Sequence, residues 1–101
     1  MNWPLRFSTV AARAATLEDK NWRLHHPENA DLFDAAYDQA LHATSLQPLG
    51  YQRVMARQYK AARRYIIRPT GHLVFYRVNE EKRYIIILNI FPGRMQKEPA
   101  V

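Results

Sequence analysis

Between Ala62 and Phe91 the chain carries three β-rich runs, ARRYIIR, HLVFYRV and RYIIILNIF, separated only by Pro69-Thr70-Gly71 and by Asn79 to Lys82. Joined by two such short turns, the runs are expected to form a meander within a mainly antiparallel sheet. In the first turn proline presets φ and glycine accepts a positive φ. The last run, with Ile85, Ile86, Ile87, Leu88 and Ile90, is apolar on both faces, as a central strand covered on both sides should be. Arginines nevertheless recur at Arg63, Arg64, Arg68, Arg77, Arg83 and Arg94. A sheet that keeps so many guanidinium groups is expected to present them to an anion, phosphate or carboxylate alike.

The elements ahead of the meander are read from pattern. Trp3 to Phe7 alternates as a short first strand, which Pro4 confines to an edge or a strand start. Ser8 is placed as the N-cap of a helix over Thr9 to Leu24, with Val10, Ala14, Leu17 and Trp22 along one side. His25-His26-Pro27 breaks it. A second helix is expected from Glu28 to Leu46, because Phe33, Ala36, Tyr37, Ala40, Leu41 and Thr44 recur at helical spacing. Glu28, Asp31 and Asp34 then fall in its first turns, where the helix dipole favours them. Pro48 and Gly50 end the helix, and Tyr51 to Lys60 follows as a basic connector without a clear period. The expected fold class is α+β in the order β-α-α-β-β-β, a helical hairpin packed on a mainly antiparallel sheet. Residues 1–101 are expected to form a single domain, with Gln96 to Val101 as a frayed tail.

Charge is unevenly divided within the net +6. The first fifty residues hold four Lys/Arg against six Asp/Glu, and the remainder hold eleven against three. No acidic side chain occurs from Gln39 to Asn79. Such a field gathers a polyanion or an acidic protein surface. The absence of cysteine removes disulfides, thiolate metal sites and cysteine nucleophiles, and fits a reducing, cytoplasmic setting. The longest apolar run is far below a membrane span, so no membrane partner is expected.

Familiar catalytic signatures fail. Glycine at positions 50, 71 and 93 makes no phosphate-binding loop, and Ser8 and Ser45 make no nucleophile elbow. The adjacent His25 and His26 are read as loop residues, since neighbours rarely converge on one metal ion, and no metal or cofactor is expected. RNA cleavage by a 2′-hydroxyl would need a proton acceptor, a proton donor and cations for the developing charge. The acid and base would have to come from His72, Tyr76, Tyr84, Lys60 and the pair Glu80-Glu81. His72, directly after a turn, reads more simply as a strand-start residue.

Several segments resemble, in order, the RelE/ParE superfamily of toxins from bacterial type II toxin–antitoxin systems. They are Phe7-Ser8, Ala30 and Phe33, Pro48-Leu49-Gly50, Arg64-Tyr65-Ile66-Ile67, His72-Leu73-Val74-Phe75-Tyr76-Arg77-Val78, Ile85 to Ile90 and Gly93-Arg94-Met95. The two long helices and the Gly-Arg-Met ending look like the ParE branch, although Pro92 and Gln96 depart from its pattern. The resemblance implies a poison of DNA gyrase without chemistry of its own, held in check by a cognate antitoxin. Its target-binding residues would be Arg64, Arg77, Arg94 and Met95. The alternative implied by the RelE branch is a ribosome-dependent mRNA endoribonuclease drawing on Arg63, Arg64, Tyr76, Arg77 and Arg94.

Overall fold

A computed structural model of the chain describes residues 2–55 and 57–92. The elements are β1 (Leu5–Phe7), α1 (Thr9–His25), α2 (Leu32–Leu46), β2 (Ala62–Ile67), β3 (His72–Asn79) and β4 (Tyr84–Phe91). Short 3-10 turns occur at Pro27–Asn29, Pro48–Gly50 and Arg57–Tyr59. The sheet order is β1-β4-β3-β2, with β1 parallel to β4 and the other pairs antiparallel. The three late runs therefore form the expected meander, and the long passage through both helices lets β1 add in parallel at the far edge. Residues Gly93 to Val101, with Arg94, Met95 and the expected tail, lie outside the described residues.

Both helices cover one face of the sheet. Ala11 from α1 and Phe33, Ala36 and Ala40 from α2 pack with Ile67, Val74, Tyr76, Ile85, Ile87 and Ile90 in one buried cluster. Of the stripe expected for α1, Ala14 and Trp22 do face inward, joined by Ala11 and Ala15, but Val10 and Leu17 are corrected, being 57% and 54% exposed. The reason is steric, because small alanines let the helix approach β4 closely where larger side chains would hold it away. Glu18 also lies on that inner side, paired with His72.

The second helix begins later than its pattern suggests. Pro27–Asn29 forms a separate 3-10 turn, and Asp31, at the N-cap of α2, makes no capping bond. Its carboxylate instead accepts from Arg23 Nη1 at 2.6 Å, tying the two helices together at their connection.

The basic connector from Tyr51 to Lys60, which shows no clear period in sequence, covers part of the sheet's other face. Val54 N donates to the Ala62 carbonyl at 2.8 Å and Arg64 N to the Gln52 carbonyl at 2.9 Å, so this segment pairs with the start of β2. Val54, Ala62 and Phe75 form a second buried cluster flanked by Tyr59, Leu73, Leu88 and Phe91. β4 is thus covered on both sides toward Leu88 and Phe91, as its sequence suggests, but not at Ile86. The remainder of that second face, toward β1 and the β3–β4 turn, is open.

Candidate target-binding face

Strand alternation sorts the arginines onto two sides of the sheet. Arg63 lies opposite Tyr76 on the helix side, where its Nη1 donates to the Tyr51 carbonyl at 2.7 Å. Arg64 lies opposite Phe75 on the second face, and its Nη2 donates to Gln52 Oε1 at 3.0 Å. Arg77 shares that face, with Nε donating to the Lys60 carbonyl at 2.9 Å. Arg68 and Arg83 are exposed in the two turns. Arg83 has a positive φ of 59° and stacks over the Trp3 ring at 4.4 Å.

The register places a row across all four strands: Arg6 beside Ile86, Ile86 beside Arg77, and Arg77 beside Ala62. All four occupy the face away from the helices. Tyr84, opposite Asn79, is on the same face, and the Arg6 guanidinium lies 4.1 Å over its ring. A shallow recess of about 460 Å³ is lined by Arg77, Asn79, Tyr84 and Ile86, with Glu80 and Glu81 on the turn side. Two guanidinium groups therefore flank an aromatic and an aliphatic side chain on an open sheet. Such an arrangement suits phosphates through the forks and a flat or apolar group through the rings. Arg6 was not among the residues singled out from sequence. Its signal was the alternation Leu5-Arg6, which sends Leu5 inward and Arg6 outward.

Two of the candidate proton carriers, Tyr76 and His72, are differently placed. Tyr76 is fully buried, and its hydroxyl donates to the Pro48 carbonyl at 2.7 Å. Burial raises its phenol well above the ordinary range, with Arg63 pulling partly the other way. His72 is also buried, bonded through Nδ1 to Thr70 Oγ1 at 2.7 Å and through Nε2 to Glu18 Oε1 at 3.0 Å. Burial pushes its imidazole below the ordinary value, against the upward pull of Glu18. A neutral ring carrying its proton on Nε2 satisfies this geometry, since it donates to the carboxylate and accepts from the threonine hydroxyl. Tyr76, His72 and Arg63 thus sit on the helix side of the sheet, away from Arg77, Tyr84 and Arg6. Among the described residues no group of three or more His, Cys, Asp or Glu could hold a metal ion. No helix among them is long and apolar enough to cross a membrane.

Residues 5–97 match the family described as the ParE toxin of the type II toxin–antitoxin system parDE. The chain belongs to the ParE toxin family. Solved structures of similar fold include a chromosomal ParDE system from P. aeruginosa, with a TM-score of 0.71 and 17% identity over 91% of this chain and 97% of that one. The toxin–antitoxin complex RelBE2 from Mycobacterium tuberculosis gives 0.62 and 20% over 91% and 99%. A mutant of the E. coli toxin RelE in the free state gives 0.54 and 18% over 93% and 86%. At such identities these likenesses are of fold. No curated protein matches the chain in sequence.

Proposed function

We propose that this ParE-family chain is a toxin that grips DNA gyrase through the open face of its sheet, without chemistry of its own, and that a cognate antitoxin neutralises it in the cytoplasm. The observation that carries this reading is the burial of Tyr76 and His72 on the helix side of the sheet, opposite the face that holds Arg77 and Arg6. Tyr76 and His72 spend their polar atoms on Pro48, Thr70 and Glu18, whereas Arg77 lines an open recess on the opposite face and Arg6 stacks over Tyr84 beside it. An acid or base must come within hydrogen-bond reach of the reacting group, and these two face the core. On this reading Arg77 and Arg6 hold the target from the open part of the face, Arg64 adds to them from beside the connector, and Arg94 and Met95, next in sequence after β4, complete the contact. The whole described chain takes part as one domain.

The ribosome-dependent endoribonuclease remains the second reading on one observation. Tyr84 shares the open face with Arg77 and Arg6, a hydroxyl among cations. Purified protein tested for gyrase supercoiling and DNA cleavage beside translating ribosomes separates the two. Loss of supercoiling with intact mRNA supports the gyrase reading, and mRNA cuts in the ribosomal A site overturn it. Arg94→Ala is expected to relieve growth arrest while folding normally; a variant that stays fully toxic removes Arg94 from the site.

A further inference from the structure

A second recess lies at the β2 edge of the sheet, across β3 and β4 from Arg6. The connector covers only the start of β2, and the bond from Arg64 N to the Gln52 carbonyl at 2.9 Å is the last between them among the described residues. Ile66 N–H, two residues on, points the same way and has no partner among the described residues. On the neighbouring helix α2 presents Ala36, whose small side chain leaves space between helix and strand. The result is a cleft of about 350 Å³ lined by Gln39, Tyr51, Gln52, Arg64, Tyr65 and Arg68. A volume of that size suits a small molecule rather than a helix.

The lining selects the ligand. No carboxylate lines the cleft, since the chain is free of acidic side chains from Gln39 to Asn79. Gln52 Oε1 accepts from Arg64 Nη2 at 3.0 Å, which fixes the direction of that guanidinium. Arg68 is exposed and makes no ion pair or hydrogen bond among the described residues. Two planar forks over one cleft suit a phosphate. Tyr51 and Tyr65 meet at 72° with ring centroids 5.0 Å apart, a corner in which a flat ring can stack on one and meet the other edge-on. Gln39, on the helix wall, has its amide donor and acceptor unspent among the described residues, the pairing that matches the edge of adenine. An acidic peptide would satisfy the forks and leave the tyrosine corner and the amide unused.

We infer that this cleft binds an adenine nucleotide, with the phosphate on Arg64 and Arg68, the base in the corner of Tyr51 and Tyr65, and Gln39 on the base edge. A free nucleotide and the phosphorylated end of a nucleic acid strand present the same chemistry to it. The cleft is separate from the recess beside Arg77 and needs nothing from the gyrase reading. Arg64 alone is shared with the proposed target face, so the test leaves it untouched.

The test titrates the full chain with AMP, adenosine, inorganic phosphate and a tetraglutamate peptide, followed by backbone amide shifts. AMP should move the amides of Tyr51, Tyr65 and Arg68 and bind about tenfold or more tighter than adenosine or phosphate, since each fragment lacks part of the contacts. Arg68→Glu, at an exposed position, should weaken AMP about tenfold or more. Tyr65→Leu should weaken it about tenfold through loss of stacking, with the circular dichroism spectrum unchanged. Gln39→Ala should bring AMP and UMP to equal affinity, where the unaltered chain prefers AMP. An adenine oligonucleotide with a 5′-phosphate that displaces AMP supports the site with a strand end as its source, and one that fails to displace it supports the site with the free nucleotide. Absence of shifts at the cleft overturns the inference, as does phosphate binding as tightly as AMP, or a tetraglutamate peptide moving the same amides as strongly. AMP affinity unchanged in Arg68→Glu overturns it as well. None of these measurements involves gyrase, so failure of the cleft and failure of the toxin reading remain distinguishable.

Discussion

Ser8 Oγ donates to the Leu88 carbonyl at 2.9 Å while accepting from Ala11 N at 2.9 Å, joining residues eighty apart at the start of α1. Leu88 is the residue that the β3–β4 ladder skips, since Phe75 pairs with Asn89 and Tyr76 with Ile87. The bulge frees a backbone carbonyl, and the capping serine satisfies it. Ser8→Ala removes the cap and the donor together and should cost about 2 kcal/mol in urea denaturation. Ser8→Thr should recover most of the loss. Ser8→Asp keeps the cap but cannot donate, and should recover only part.

The pairing of Glu18 with His72 makes stability depend on pH. The folded chain holds His72 neutral because burial lowers its pKa from an ordinary value of 6.5, although Glu18 opposes the shift. The unfolded chain then binds the proton more readily, so stability rises with pH through this window. The contribution is complete above pH 6.5 and is lost progressively as the pH falls toward the lowered folded value. His72→Gln should be less stable at neutral pH and show a flatter decline below it, in urea titrations across the range. Glu18→Gln should lower the His72 titration further, as read by imidazole proton shifts.

The phenol of Tyr76 distinguishes core from chemistry. Tyr76→Phe leaves the Pro48 carbonyl without its partner and should cost about 1 to 2 kcal/mol. Growth arrest should persist at temperatures where the variant is folded. A folded variant that has lost all toxicity would place Tyr76 in the reaction after all.

Some of this was legible in the sequence for reasons that lie in periodicity. The meander from Ala62 to Phe91 is fixed by alternation and by turn residues, and the Ser8 cap by a hydroxyl before an apolar helix. Tyr51 to Lys60 was opaque, because an irregular segment that covers a sheet through Val54 and Tyr59 has no period to read. Val10 and Leu17 misled, since hydrophobicity alone favours a leucine over Ala11 or Ala15 for a buried position. Close approach of helix to sheet favoured the alanines. At the candidate site, the side on which each arginine falls followed from strand parity. The row from Arg6 through Ile86 to Arg77 needed the parallel pairing of β1 with β4, a long-range register that no local pattern contains.

Ala61 precedes β2 with a φ of 58°, a left-handed conformation that a side chain disfavours. Ala61→Gly should relieve this and raise stability by about 0.5 to 1 kcal/mol, the backbone preference exceeding the added entropy of glycine. Thermal denaturation is the direct measure, and an unchanged or lowered midpoint would mean that the turn bears no such strain.

Tyr84 and Arg77 together test how the open face works. Tyr84→Phe keeps the ring beneath Arg6 and removes only the hydroxyl, so a gripping surface should retain its affinity for gyrase and its growth arrest. An acid or base at that position would instead lose on the order of a hundredfold or more in mRNA cleavage. Arg77→Glu should fold, since its bond to the Lys60 carbonyl is at the surface, and should weaken target binding about tenfold or more by reversing the charge at the recess. A gripping face is thus sensitive to charge at Arg77 and indifferent to the Tyr84 hydroxyl. The opposite pattern, measured in parallel gyrase and ribosome assays, would make this face a ribonuclease site.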